Sequence, residues 1–192
     1  FPDEVIFIMY HQITELYFKL ALREFEALGA LAKPTKQHFI DRVTRINRYF
    51  DALVKSFEIM IEGMDREEFL KFRMSLLPAS GFQSAQYREI EIYSTDFINL
   101  VAKDVREEMR GVEEIEQLFE NVYWKAGATE MATGKKTLTL IQFEQKYKDQ
   151  FIALGKKCQN KNLWQVYLRL PEVDRADDAV KNALRQNDTN VN

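Results

Sequence analysis

Between positions 39 and 60 apolar residues recur at alternating steps of four and three, and this period limits the fold more than any other feature. Such steps return side chains to one side of an α-helix, so the pattern predicts a long helix with an apolar face. Thr35 is the expected N-cap and Gly63 the expected end. The residues on this face are Phe39, Val43, Ile46, Phe50, Leu53, Phe57 and Met60.

The rest of the chain also has helical periodicity. We expect a first helix over residues 3–28 and a third over 66–76, where Pro78 would end it. A further helix is expected from Tyr93 through Glu108. Seven glycines and four prolines are few for 192 residues. The prediction is an all-α, multi-helix bundle forming a single domain over residues 1–192. The first helix carries a similar apolar stripe, formed by Ile6, Met9, Ile13, Leu16 and Leu20.

Charge and apolar run length exclude several classes of function. The chain has 27 basic and 30 acidic residues, a balance that does not suit a surface tracking nucleic-acid phosphates. Its longest apolar run, residues 5–10, is far shorter than the roughly 20 residues that span a bilayer. We therefore expect no nucleic-acid or membrane partner. One cysteine, Cys158, fits a reducing compartment, and we expect a cytoplasmic location.

Metal-binding patterns are also missing from the sequence. The two histidines, His11 and His38, have no Glu three residues before them, so the Glu-x-x-His pairs of di-iron bundles are absent. The scattered glycines form neither a P-loop nor a dinucleotide fingerprint. No residue of the chain is predicted to ligate a metal.

Two pairs of residues could form a ligand pocket. Phe7 and His11 lie one helical turn apart, and so do Phe69 and Arg73. Two rings could sandwich an aromatic ligand, the histidine could accept a hydrogen bond from a ring N–H, and the arginine could clamp a carboxylate. An aromatic amino acid such as tryptophan has these groups. The alternatives are a half-buried structural histidine and a solvated arginine, and spacing does not show that the two helices meet.

Residues 80–88 form the least ordinary segment, because small, amide, aromatic and charged residues follow one another directly. A simple interpretation is a loop whose Ser80 caps the next helix. A ligand contact is compatible with that interpretation, since helix N-termini present free N–H groups.

These segments resemble the two motifs of the haem-dependent tryptophan 2,3-dioxygenases. Residues 7–16, FIMYHQITEL, are similar to F-I-x-x-H-Q-x-x-E-L. Phe72-Arg73 with residues 80–88, SGFQSAQYR, resemble F-R…S-G-F-Q-S-x-Q-[YF]-R. The resemblance is close over residues 3–92 and loose over the remainder.

The resemblance implies a role for each matched residue. His11 would be the catalytic residue that binds the substrate indole N–H, and Phe7 would pack on the indole ring. Phe69 would wall the pocket, Arg73 would bind the substrate carboxylate, and Ser80 would lie beside the cofactor. The family implies insertion of O2 into the indole C2–C3 bond of L-tryptophan to give N-formyl-L-kynurenine. It further implies haem b with its iron, an all-α fold and a homotetramer.

The haem-ligating histidine of the family lies beyond a segment resembling residues 184–192. We therefore expect the chain to be part of a longer polypeptide, and these 192 residues alone to be inactive. Two alternatives stay open. One is a relative that binds tryptophan or haem without catalysis, and the other is a helical oligomerisation module.

Overall fold

The computed structural model describes residues 2–73, 81–129 and 135–191, and these ranges are built from α-helices. Within them, β-structure is limited to two isolated bridges, Val101 with Val122 and Thr129 with Lys136. The predicted all-α fold is confirmed. The helices are α1 (Pro2–Gly29), α2 (Lys36–Ser56), α3 (Glu58–Glu62), α4 (Arg66–Arg73), α5 (Ala85–Ser94), α6 (Ile115–Glu120), α7 (Leu138–Cys158), α8 (Leu163–Leu168), α9 (Glu172–Ala176) and α10 (Asp178–Val191).

Helix α1 spans the predicted range, but its predicted apolar stripe does not face the core. The buried face is formed by Ala21, Leu22, Phe25 and Leu28, and it packs against α2 and α5. The stripe lies on the other side of the helix, and its five side chains are 39% to 61% exposed. Helix α1 therefore has two apolar faces, of which the described chain covers one. The exposed residues are Ile6, Met9, Ile13, Leu16 and Leu20.

Helix α2 begins as predicted and ends earlier. The Thr35 hydroxyl accepts a hydrogen bond from the His38 amide at 3.2 Å, which is the expected N-cap. The first four apolar positions, from Phe39 to Phe50, are buried. The helix ends at Ser56, and Phe57 separates it from α3, whose C-cap is the predicted end, Gly63. The later part of the face is less covered than the first: Leu53 and Met60 are half-buried and Phe57 is 53% exposed.

Helix α4 is held against the start of α1. The Asp65 carboxylate accepts hydrogen bonds from the amides of Glu67 (2.8 Å) and Glu68 (2.9 Å), so Asp65 caps α4. The Asp65 amide in turn donates to the Asp3 carboxylate at 2.8 Å. The predicted helix over 66–76 is present up to Arg73, and its last three residues lie outside the described ranges.

The expected helix from Tyr93 to Glu108 is wrong. Helix α5 ends at Ser94, and a 3-10 turn over Phe97–Leu100 follows it. This turn packs closely on α7, where a Cβ on Gly155 would lie 2.8 Å from both the Phe97 ring and the Ile115 side chain. A hydrophobic pattern alone does not distinguish such a packed turn from a continuing helix.

The buried residues of α1, α2, α5, α7 and α10 form one contiguous core. Helix α10 is joined to α2 by a buried amide pair, since the Asn47 amide donates to the Ala183 carbonyl at 2.9 Å and the Asn187 amide donates to the Asn47 side chain at 3.3 Å. Among the described helices, none has the length and apolarity required to cross a bilayer.

Candidate functional site

Three phenylalanine rings bring the first and fourth helices together. The ring centroid of Phe7 on α1 lies 6.2 Å from that of Phe69 and 5.8 Å from that of Phe72, both on α4. Phe72 is buried and meets Phe69 edge to face at 5.3 Å. The two residue pairs singled out in the sequence therefore lie on helices that meet, which spacing could not show. Such tilted and edge-to-face pairs are the favoured arrangements of aromatic rings.

The geometry of His11 selects the tautomer of its neutral ring. Its ring lies 4.2 Å from that of Phe7, and its Nδ1 is 2.8 Å from the Phe7 backbone carbonyl. A carbonyl oxygen only accepts hydrogen bonds, so Nδ1 carries the proton. In the neutral imidazole Nε2 is then an acceptor. His11 is exposed rather than half-buried, and its ring nitrogen is bonded to its neighbour Phe7.

His11 lines an open cavity of about 770 Å³ on the surface of α1, here called the His11 cavity. The atoms that line it are mainly apolar, and five of its eight lining residues carry a polar group. Its volume lies within the range of small-molecule sites, about 300–1,000 Å³. The lining residues are Phe7, Ile8, His11, Gln12, Glu15, Leu16, Lys19 and Gln86.

The other predicted site residues are placed differently. Phe69 contacts Phe7 but does not line the His11 cavity. Arg73 is the last residue of α4; it is exposed and does not line the cavity either. Ser80 lies outside the described ranges. The cap of α5 is Ser84, whose hydroxyl accepts from the Tyr87 amide at 3.2 Å.

Glu15 connects the two sequence motifs. Its carboxylate accepts a hydrogen bond from the Ser84 hydroxyl at 2.7 Å and one from the Gln86 amide at 2.7 Å. The same Gln86 amide donates to the Glu15 backbone carbonyl at 2.9 Å. Glu15, Ser84 and Gln86 belong to the two motifs, but the sequence predicts no role for them. The available signal was the four-residue step from His11 to Glu15, which places both on one helix face.

At the end of the second motif, Arg88 is buried together with Glu91 in a charged network. Arg88 forms an ion pair with Glu91 at 2.9 Å and donates to the Tyr123 hydroxyl at 3.1 Å. Tyr123 in turn donates to the Glu91 carboxylate. Burial raises the pKa of the Glu91 carboxyl, although the Arg88 charge and the Tyr123 hydrogen bond oppose this shift. The network anchors α5 and does not reach the His11 cavity.

A larger cavity of about 890 Å³ lies between α5, α8 and α10, here called the Glu91 cavity. Tyr87, Glu91, Tyr123 and Trp164 are among its lining residues, whereas Phe7, His11, Phe69 and Arg73 are not. Size alone would favour this cavity as the site. The predicted residues and both motifs favour the His11 cavity, and we assign the candidate site there.

The remaining chemically active side chains take no part in the site. Cys158 is buried on α7, and burial raises the pKa of its thiol to about 11, so it is a packed small residue and not a nucleophile. His38 is exposed at the start of α2. In the ranges that the structure describes, no group of three or more His, Cys, Asp or Glu side chains could hold a metal ion.

Comparison with known proteins agrees with the motifs. The family model of tryptophan 2,3-dioxygenase matches residues 1–190. A tryptophan 2,3-dioxygenase of Nocardioides sp. is 44% identical over 100 residues, which are 48% of this chain and 36% of that protein. One of Sorangium cellulosum is 42% identical over 96 residues (47% and 23%), and one of Dictyostelium discoideum is 38% identical over 95 residues (46% and 24%).

No solved structure matches the chain. The aligned part of the chain spans between 23% and 36% of the length of these three relatives. Because the family model covers nearly all of the 192 residues, and both motifs meet at one cavity, the chain belongs to the tryptophan 2,3-dioxygenase family.

Proposed function

We propose that this chain forms the substrate-binding part of a haem-dependent dioxygenase acting on L-tryptophan. The reaction inserts both atoms of O2 into the indole C2–C3 bond and gives N-formyl-L-kynurenine. One observation carries the proposal: Phe7 and His11 of the first motif line a cavity that Glu15 and Gln86 join to the second motif.

His11 is proposed to orient the indole. Its Nδ1 proton is committed to the Phe7 carbonyl, which leaves Nε2 as an acceptor for the indole N–H. A hydrogen bond to a ring nitrogen fixes the rotation of the indole in its plane. It also directs the indole N–H proton to Nε2 of His11. Holding the substrate in one orientation lowers the barrier for reaction at a particular bond, because the reacting atoms are already placed.

Phe7, Phe69 and Arg73 are proposed to recognise the rest of the substrate. The Phe7 ring would pack on the indole, and Phe69, in contact with Phe7, would support this wall. Arg73 lies one turn after Phe69, at the end of α4. A guanidinium binds a carboxylate with two parallel hydrogen bonds, which suits the amino-acid end of tryptophan.

The described residues fit one face of a haem. Phe7, Ile8 and Leu16 give the His11 cavity an apolar wall, and a macrocycle requires such a surface. Haem b, with its iron, would supply the O2 chemistry, and this chain would position the substrate and exclude water. Ser80 is proposed to lie beside the haem. No residue of this chain is proposed as the iron ligand.

We further propose a homotetramer in the cytoplasm. Support for assembly comes from the second apolar face of α1, where Ile6, Met9, Ile13 and Leu20 are exposed. An apolar stripe of this length on a helix is typical of a protein interface. Light scattering of the full-length protein should give four times the subunit mass, and Ile13→Glu should lower it. A monomeric wild type would contradict the proposed assembly.

Turnover by the full-length protein tests the proposed function. The protein is supplied with haem and a reductant, and L-tryptophan is added in air. We expect N-formyl-L-kynurenine, identified by mass spectrometry, with both added oxygen atoms labelled when 18O2 is used. Tryptophan binding without product would indicate a binding relative. No uptake of either ligand would favour the oligomerisation module.

A further inference from the structure

Glu15 stands out among the cavity residues because its carboxylate is already engaged. Both carboxylate oxygens accept hydrogen bonds at 2.7 Å, one from Ser84 and the other from Gln86. The side chain is half-buried, and both donors are neutral. A carboxylate bound in this way is held in one position, since hydrogen bonds to a charged acceptor are about twice as strong as neutral ones.

The donors belong to the N-terminus of α5, so these bonds join two parts of the site. Ser84 is the N-cap of α5, and Gln86 is its second residue. Glu15 is one helical turn from His11 and lines the same cavity. The position of His11 relative to α5 and to the preceding Gly81–Gln83 turn therefore depends on this contact.

Apolar packing accompanies the contact at this end of α5, where Ala85 and Tyr87 are partly buried against the core. Further along the two helices, Phe18 packs against Tyr87 with ring centroids 5.3 Å apart. Ring packing of that kind tolerates small sliding movements. A hydrogen bond is directional, and it weakens steeply when the donor turns away from the acceptor.

We infer that Glu15 is a positioning residue for substrate binding, because it fixes the N-terminus of α5 against the face of α1 that carries His11. Glu15 itself need not touch the substrate. The inference rests on the proposed function, since tryptophan is the ligand whose binding would report the geometry.

Comparing variants of Glu15 and Glu24 distinguishes an effect on ligand positioning from a general loss of stability. Glu24 is also on α1 and also accepts two hydrogen bonds, from Arg42 at 2.6 Å and from Arg45 at 3.3 Å, but these join α1 to α2. The variants are Glu15→Ala, Ser84→Ala, the double variant and Glu24→Ala, each in the full-length, haem-loaded protein. The measurements are the Kd of L-tryptophan by titration calorimetry and the melting temperature. Ser84 does not line the cavity, so its loss acts on the ligand only through other residues.

We expect Glu15→Ala and Glu24→Ala both to lower the melting temperature. The Kd should rise about tenfold in Glu15→Ala and equally in the double variant, because Ser84 acts through Glu15. It should rise less in Ser84→Ala, which keeps the hydrogen bond from Gln86 to Glu15. Glu24→Ala should keep the wild-type Kd. Should Glu15→Ala fail to fold, Glu15→Gln, which keeps one acceptor oxygen, should give an intermediate Kd.

Three results would overturn the inference. Glu15→Ala or Glu15→Gln could bind tryptophan as the wild type does, Glu24→Ala could weaken binding as much as Glu15→Ala, or the effects of Glu15→Ala and Ser84→Ala could add. If the wild type itself binds no tryptophan, the proposed function fails together with the inference, and the wild-type titration alone identifies that case.

Discussion

At the scale of single residues, the hydrogen bond between His11 and its own helix determines which ring nitrogen can accept a hydrogen bond from the substrate. By donating from Nδ1 to the Phe7 carbonyl, the ring keeps Nε2 as an acceptor and stays beside the Phe7 ring. One backbone contact thus selects both the tautomer and the orientation of the imidazole. The four-residue step between Phe7 and His11 makes this contact possible.

Removing the His11 ring should weaken substrate binding and leave haem binding intact. His11→Ala in the full-length protein loses one hydrogen bond to a buried ring N–H, and we expect a Kd for L-tryptophan about tenfold higher. His38→Ala is the matched control, because His38 is exposed on α2 and does not line the His11 cavity. Calorimetry gives the Kd, and the absorption spectrum gives the haem content. Loss of haem in His11→Ala would show that the histidine has been assigned to the wrong face of the site.

Arg73 tests the recognition of the carboxylate. Arg73→Ala should raise the Michaelis constant for L-tryptophan by a factor of about ten or more, since a hydrogen bond to a charged group is typically worth about 1.5–3 kcal/mol. Arg73→Lys should recover only part of the loss, because an ammonium cannot form the two parallel bonds of a guanidinium. Steady-state kinetics measures both variants. An unchanged Michaelis constant in Arg73→Ala would eliminate the assigned role.

At the scale of helices, sequence periodicity predicts which residues share a face but not what covers that face. On α2, the positions from Phe39 to Phe50 are buried as expected, because α1 and α10 pack there. On α1 the equally regular stripe from Ile6 to Leu20 is exposed. The two stripes are alike in the sequence. Their difference arises from long-range packing, which a local pattern does not contain.

Helix α7 carries a cluster whose stability depends on pH. Glu144 on α7 forms ion pairs with Lys125 at 2.7 Å and with Lys136 at 2.6 Å. Burial alone would raise the pKa of the Glu144 carboxyl, but the hydrogen bonds from the two lysines outweigh burial and lower the pKa below its ordinary value of 4.5. A lowered pKa in the folded state stabilises the fold above the unfolded-state pKa, and this contribution is lost as the pH falls.

Glu144→Gln should therefore lower the free energy of unfolding near pH 7 and leave it almost unchanged in acid. We expect a free energy of unfolding about 1–3 kcal/mol lower at pH 7, because Lys125 is buried and loses a charged partner. The difference from the wild type should shrink as the pH falls below 4.5. Urea unfolding across this pH range measures this difference in the free energy of unfolding. Glu108→Gln, at an exposed position, is the control, and a difference that stays constant with pH would contradict the assignment.

At the scale of the whole molecule, the candidate site is assembled from segments that are distant in the sequence. The Phe7 and Phe69 rings meet across 62 residues, and Glu15 reaches Gln86 across 71. The sequence predicted the all-α fold and the placement of Phe7 and His11 on one helix face, because helix periodicity and spacing are local properties. It did not predict the Glu15 contact or the exposed face of α1, because both depend on which helices pack together.

The position of bound tryptophan distinguishes the His11 cavity from the larger Glu91 cavity. A crystal structure of the full-length protein with L-tryptophan should place the indole nitrogen about 3 Å from Nε2 of His11, with the ring against Phe7. Tryptophan bound instead in the Glu91 cavity, beside Tyr87 and Trp164, with no indole at His11, would contradict the account.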